Sequence, residues 1–259
     1  MAVAAEYIDD GSSFFAIDPL SINPESLADF QLYERFGKDS GKYRFRCLLV
    51  DTGSIEKDRL KQLLRSWNEV FVHKKQKTNY LSYVRDNLEF ILKHEEIETR
   101  QKSHTLIHLS SEVVRESLAA NFSAADDITE VVENIRNLIS KAVDFISGIE
   151  SLKGIAELVG HDYQTHTHSI KVGWLTATFI NANQDLFDGN TQEEMREIMI
   201  QAAVAGFLHD IGKVKVPKNV INKKGRLDNL EYALIQAHTA YSTSLLFDTD
   251  LPHSCMQTI

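Results

Sequence analysis

The chain has 259 residues, 43% of them hydrophobic and 25% charged, with a formal net charge of −9 at pH 7. This composition is typical of globular proteins and excludes a disordered, collagen-like or low-complexity chain. The acidic balance argues against a DNA-binding protein, and two cysteines cannot form a disulfide framework. Without a long apolar run or a signal peptide, we expect a cytoplasmic protein that does not span a membrane.

The first part of the chain, residues 1–92, predicts a small α/β module. Polar and apolar residues alternate in several short stretches that end at Gly or Asp, which is the pattern of β-strands. The predicted strands are 14–17, 29–36, 43–50 and 70–72. Apolar residues at helical spacing predict one helix at about 55–67. Because the module contains no cluster of catalytic residue types, we expect it to be regulatory and to fold separately.

The remainder of the chain predicts helices only. No proline lies between residues 25 and 216, which permits long helices there. Residues 93–150 show helical spacing with a break at about 123–127 and form a predicted helical connector. Residues 151–259 form a predicted helical bundle, so that the whole chain is of the α+β class.

Histidines are concentrated in the predicted bundle, and His209 lies on the clearest helix. Thr191 and Glu194 have the spacing of a capping box that starts this helix. The apolar stripe of the helix comprises Met195, Met199, Ala202, Gly206 and His209. We therefore expect His209 to point inward with Asp210 beside it, and Gly212 to end the helix.

His168 and His238 show similar spacing on two other predicted helices. His168 shares a stripe with Val172, Leu175 and Phe179. His238 shares a stripe with Leu234, Tyr241 and Leu245, after a second capping box formed by Asp228 and Glu231. One inward histidine is ordinarily a core residue with satisfied hydrogen bonds, but three beside an aspartate favour a shared metal. Imidazole and carboxylate ligands suit Fe, Mn, Zn or Ni.

Several motifs resemble those of the HD metal-dependent phosphohydrolase superfamily and, more narrowly, of its HD-GYP branch. The His209-Asp210 pair gives the superfamily its signature, and four motifs in the right order point to the branch. The motifs stand at 162–172, 203–213, 214–227 and 231–238. The resemblance covers about residues 155–259, whereas residues 1–150 are only loosely similar to the regulatory modules that precede such domains.

The resemblance implies a phosphodiesterase that hydrolyses cyclic di-GMP to pGpG or GMP, with two or three metals, often iron or manganese. Two divalent metals are expected here, because Gln164 stands where three-metal members have a glutamate. Two metals about 3.5–4 Å apart can share a hydroxide and stabilise an in-line displacement. The metal ligands that the resemblance implies are His168, His209, Asp210 and His238, with Asp210 bridging.

A basic segment, which we define as residues 211–227, follows the His-Asp pair. It contains Lys213, Lys215, Lys218, Lys223, Lys224 and Arg226 and no acidic residue. In an acidic protein this segment favours a small anionic ligand, although a solvated loop has the same composition. The resemblance implies that Lys213 joins Asp210 as a catalytic residue and contacts a phosphate, and that Lys223 and Arg226 bind substrate.

The resemblance also has a gap and leaves alternatives open. The HD-GYP pattern continues with His-His-Glu and Asp-Gly-x-Gly-Tyr-Pro, which the 259 residues do not contain. We therefore expect the bundle at 151–259 to lack the C-terminal part of the family domain. One alternative is a degenerate HD-GYP signalling protein that binds metal or nucleotide without turnover. Another is an HD phosphohydrolase acting on a different nucleotide. Protein partners in signalling and a homodimer are compatible with all of these.

Overall fold

The computed structural model describes residues 6–39, 41–50, 52–119, 125–148 and 165–259. The chain divides into two compact units, residues 1–102 and residues 103–259. This boundary differs from the limits at 92 and 150 drawn from the sequence, and that three-part division stays a prediction. Of the predicted break at 123–127, residues 123 and 124 lie outside the described residues, whereas residues 125–127 already belong to the helix that begins at Ala125. The predicted boundary between the connector and the bundle lies outside the described residues.

The N-terminal unit is built on one antiparallel five-stranded sheet with the strand order β1-β4-β3-β5-β2. The strands are β1 (Glu6–Asp9), β2 (Phe14–Ile17), β3 (Leu32–Asp39), β4 (Lys42–Leu49) and β5 (Val70–His73). The helices of this unit are α1 (Lys57–Ser66), α2 (Lys77–Asp86), α3 (Leu88–Lys93) and the start of α4 (Thr99–Ala119). All four predicted strands and the predicted helix are therefore present, although β3 begins and ends three residues later than the predicted 29–36, and β1 is an additional strand.

Alternate residues of each strand point to opposite faces of the sheet, and both faces carry apolar side chains. One face packs with α1 and α2 into a core that includes Leu32, Leu60 and Val72. The other face holds an aromatic cluster of Phe14, Tyr33, Phe45 and Phe71. The rings of Phe14 and Phe45 stack with their centroids 4.0 Å apart. The unit therefore has a core of its own.

The C-terminal unit is entirely helical among its described residues. Its elements are the rest of α4, α5 (Ala125–Ile146), α6 (Thr165–Ala182), α7 (Gln192–Leu208), α8 (Lys218–Ile221), α9 (Asn229–Gln236), α10 (His238–Leu246) and α11 (His253–Thr258). A 3-10 turn, Ile211–Lys215, follows α7 and packs against α10. Helix α7 lies at the centre, in contact with α5, α6 and α11. None of the described helices combines the length and the apolar character that crossing a membrane requires.

Helices α6 and α7 approach each other closely because glycines meet where they cross. A Cβ atom placed on Gly206 would lie 2.6 Å from the Cα of Gly173. A Cβ atom on Gly173 would in turn lie 2.8 Å from the carbonyl oxygen of Ala203. Real Cβ atoms do not come so near backbone atoms, so the crossing requires glycine at both positions. This contact brings the start of α6 beside the end of α7.

Candidate metal centre

The His209-Asp210 pair lies directly after α7, where the helix passes into the 3-10 turn. The helix begins with the predicted capping box: the Thr191 hydroxyl accepts from the Glu194 N–H, and the Glu194 carboxylate accepts from the Thr191 N–H at 2.7 Å. The last turn of α7 is fully buried. A rigid, buried helix end therefore fixes the backbone that carries the pair.

Asp210 is the centre of a group of nitrogen-bearing side chains. Its carboxylate is buried, with 5% of the side chain exposed. Oδ2 accepts a hydrogen bond from Lys213 Nζ at 2.6 Å. The same oxygen lies 3.3 Å from His209 Nε2 and 4.0 Å from His168 Nε2. Oδ1 lies 3.3 Å from His238 Nε2. The two oxygens of one carboxylate thus face imidazoles from three different segments of the chain.

Two of the imidazoles are oriented by backbone carbonyls of their own helical segments. His209 Nδ1 donates to the Gly206 carbonyl oxygen at 2.7 Å. His238 Nδ1 donates to the Ile235 carbonyl oxygen at 2.5 Å. Because a carbonyl oxygen can only accept, the hydrogen resides on Nδ1, and in the neutral ring Nε2 carries a free lone pair. This arrangement is typical of histidines that bind metals through Nε2.

The electrostatics favour a charged carboxylate. Burial acts to raise the pKa of Asp210, but hydrogen bonds from His209 and Lys213 hold that pKa well below its usual range. Burial acts to lower the pKa of His209, yet its hydrogen bonds to Asp210 and to the Gly206 carbonyl raise it above the ordinary value. A cation and a proton compete for the same lone pair of His209 Nε2, so rising pH favours binding of the cation.

The donor set fits a divalent transition metal. Ligand atoms of His168, His209 and Asp210 all lie within 4.8 Å of one another. His238 adds a further imidazole at the other carboxylate oxygen. Imidazole nitrogen with carboxylate oxygen is a combination that iron, manganese and zinc accept. The structure thus brings together the four predicted ligands, and their role as ligands stays a prediction.

The apolar stripe predicted to bury His168 is wrong. Leu175 and Phe179 are 50% and 59% exposed. The buried face of α6 lies about one position round the helix, because the contact with Gly206 turns Gly173 toward α7. Its buried residues are Ser169, Ile170, Gly173, Trp174, Ala177 and Ile180. His168 sits at the margin of that face with its side chain 56% exposed. Its ring nevertheless lies 5.1 Å from the ring of His209.

The stripe predicted around His238 is also wrong in part. The predicted capping box starts α9, where the Asp228 carboxylate accepts from the Glu231 N–H at 2.8 Å. The chain turns at Ala237, so that His238 begins a new helix and Leu234 is exposed. The two buried residues of α10 are Ser242 and Leu246. His238 therefore reaches Asp210 from a helix start and not from the middle of a helix.

Gly212 does not end α7 as predicted, since the helix stops at Leu208 and Gly212 lies inside the 3-10 turn. Its small size is needed for another reason. A Cβ atom on Gly212 would collide with the His238 carbonyl oxygen and with the Ser242 backbone. The Gly212 N–H donates to Ser242 Oγ at 2.9 Å. Ser242 was not predicted as a site residue, because its only signal in the sequence is that of a polar residue on an otherwise apolar helix face.

The residues of the basic segment differ from one another in their contacts and in their exposure. Lys213 reaches Asp210, and 27% of its side chain remains exposed. Lys223 forms an ion pair with Glu231 at the start of α9. Arg226 is exposed and forms no ion pair among the described residues. A substrate-binding role for Lys223 and Arg226 stays a prediction. Gln164, from which a two-metal site is expected, lies outside the described residues.

Comparisons with known proteins identify relatives of part of the chain. No family model matches. A cyclic di-GMP phosphodiesterase of Pseudomonas aeruginosa is 30% identical over 99 residues, which are 38% of this chain and 22% of that protein. A 3′3′-cGAMP-specific phosphodiesterase of Vibrio cholerae is 44% identical over 43 residues, 17% of this chain and 9% of that protein. The chain thus spans about a fifth or less of the length of these curated relatives.

A solved structure shows the same fold over more of the chain. An HDG"Y"P protein of Bdellovibrio bacteriovorus superposes with a TM-score of 0.50 and 15% sequence identity. The match covers 91% of this chain and 72% of that protein. The predicted α+β class, an N-terminal module followed by a helical bundle, is confirmed.

Proposed function

This chain resembles the HD-GYP branch of the HD phosphohydrolase superfamily, and we propose that it is a metal-dependent phosphodiesterase of cyclic dinucleotides. The observation that carries the proposal is the position of Asp210, with imidazoles at both oxygens of one buried carboxylate. A carboxylate placed in this way can bridge two cations. The relatives, which act on cyclic di-GMP or 3′3′-cGAMP, support a cyclic dinucleotide as the substrate.

The proposed metals are two divalent ions, iron or manganese, held by His168, His209, Asp210 and His238. Once bound, such ions activate water and stabilise negative charge on a phosphoryl group. One side of the proposed site is open to solvent, because the side chain of His168 is half exposed whereas that of Asp210 is buried. A phosphodiester can therefore approach from the side of His168 and Lys213.

Lys213 is the proposed contact for the phosphodiester. An ammonium group has no lone pair and cannot bind a metal, but it can donate to a phosphoryl oxygen. Its Nζ lies 2.6 Å from the oxygen of Asp210 that also faces two histidines. From this position it can stabilise the negative charge that develops on the phosphoryl oxygens during hydrolysis. We propose cyclic di-GMP as the substrate, with pGpG or GMP as the product.

The decisive experiment combines metal analysis with turnover on the longest natural form of the protein. We expect anaerobically purified protein to contain about two equivalents of iron or manganese and to hydrolyse cyclic di-GMP. Parallel assays with 3′3′-cGAMP and a linear dinucleotide distinguish the substrates. Absence of Fe, Mn, Zn and Ni would contradict the proposal. Metal binding without hydrolysis of any of these nucleotides would instead identify a non-catalytic signalling protein.

A Lys213→Ala variant is expected to keep its metal and to lose about a hundredfold in turnover, as on removal of one charge-stabilising donor. Lys215→Ala is the matched control, since Lys215 belongs to the same 3-10 turn and is exposed. Turnover and elemental analysis of both variants measure the effect. Equal losses in the two variants would indicate a diffuse electrostatic role and would remove Lys213 from the site.

A further inference from the structure

We propose that Ser242 is a positioning residue that holds His238 against the His209-Asp210 segment through its hydroxyl group. This inference rests on the proposed function, because it concerns the geometry of the same metal site. Ser242 lies on α10, four residues after His238, and its side chain is completely buried. Residues four apart lie on the same face of a helix, so Ser242 and His238 face the 3-10 turn together.

The Ser242 hydroxyl makes two hydrogen bonds to the backbone of the facing segment. It accepts from the Gly212 N–H at 2.9 Å and donates to the His209 carbonyl oxygen at 3.2 Å. These two backbone groups lie on either side of Asp210 along the chain. One hydroxyl therefore connects α10 to both flanks of the aspartate, across a sequence separation of about 30 residues.

The consequence for the site follows from the distances. His238 Nε2 lies 3.3 Å from Asp210 Oδ1, and the packing of α10 on the 3-10 turn sets this distance, because α9 contributes no buried residue. Gly212 allows α10 to approach the 3-10 turn closely, and the Ser242 hydroxyl fixes the position of α10 along that turn. Without the hydroxyl, the buried Gly212 N–H loses its acceptor and the turn is free to shift relative to α10. The imidazole of His238 would then move relative to the carboxylate.

The experiment measures Mn²⁺ binding to Ser242→Ala by calorimetry and by electron paramagnetic resonance. We expect the weaker of two binding steps to lose about 10–100-fold in affinity, the range typical of residues that orient metal ligands. The exchange-coupled signal of a manganese pair should diminish, whereas the ion held by His168 and His209 should remain. Should the alanine variant not fold, Ser242→Cys provides the same test, because a thiol is only a weak donor and acceptor.

Two control variants separate positioning from loss of stability. Ser244→Ala makes the same substitution on an exposed part of α10. Ser110→Ala removes a buried hydroxyl that accepts from the Trp174 indole on another helix. Both should bind Mn²⁺ within about threefold of the parent, even where Ser110→Ala lowers the urea midpoint as much as Ser242→Ala. Parental affinity in Ser242→Ala, or an equal loss in Ser110→Ala, would overturn the positioning role alone. A parent protein that binds no Mn²⁺ would overturn the proposed function as well.

Discussion

An Asp210→Asn variant is expected to lose at least about a hundredfold in affinity for divalent metal, since even residues that only orient metal ligands are worth 10–100-fold. The amide keeps the shape of the side chain but has no negative charge and only one acceptor oxygen. The Asn side chain can therefore present an acceptor oxygen to the imidazoles on one side only, whereas the carboxylate presents an acceptor oxygen on both sides. Elemental analysis and Mn²⁺ titration of the purified variant measure the loss.

The fold should survive this change, because Asn has nearly the same volume as Asp. The Lys213 ammonium keeps access to solvent and does not become a fully buried unpaired charge. Circular dichroism is expected to show the parental helix content. Asp188→Asn, at an exposed position, is the matched control and should keep full metal content. If Asp210→Asn also retained its metal, the assignment of the centre would be wrong.

A Gly206→Ala variant is expected to destabilise the helical unit by about 3 kcal/mol, at the upper end of the usual cost of overpacking. The added methyl group would lie 2.6 Å from backbone atoms of Gly173, and backbone cannot move aside as a flexible side chain can. The helices α6 and α7 must separate, which also moves His168 away from His209. Thermal unfolding should occur roughly 6–12 °C lower for a unit of this size.

Gly225→Ala is the matched control for this prediction. Nothing lies within 4 Å of a Cβ atom at Gly225, and its backbone does not have the positive φ that strains other residues. We expect a change of less than about 0.5 kcal/mol, as for other exposed positions. A similar loss of stability in both variants would show that helix separation is not the cause.

Local patterns in the sequence predicted local features of the structure well. The alternation in 43–50 corresponds to β4, and both capping boxes form with the residues expected. The apolar stripe that was predicted to begin at Met195 lies on a single uninterrupted helix, α7, and the pair His209-Asp210 follows directly after it. These features depend on neighbours in the chain, which is the information that one sequence contains.

Features that depend on contacts between helices were not predictable from spacing alone. Leu175 and Phe179 have helical periodicity, yet the contact between Gly173 and Gly206 turns a different face of α6 inward. Spacing from Leu234 to His238 suggests one helix, but the backbone turns at Ala237. Ser242 became recognisable as part of the site only when α10 was seen against the 3-10 turn.

The carbonyl oxygens that hold the rings of His209 and His238 belong to the main chain, three residues earlier in each case. Every amino acid carries this oxygen, so no side-chain replacement at Gly206 or Ile235 can delete it. The preferred tautomer of both imidazoles is thus inherited from helical backbone geometry and does not depend on the side chain at the acceptor position, although the helix crossing requires glycine at position 206. It is also established on folding, so that a cation encounters rings that need little reorientation and loses less affinity to ordering them.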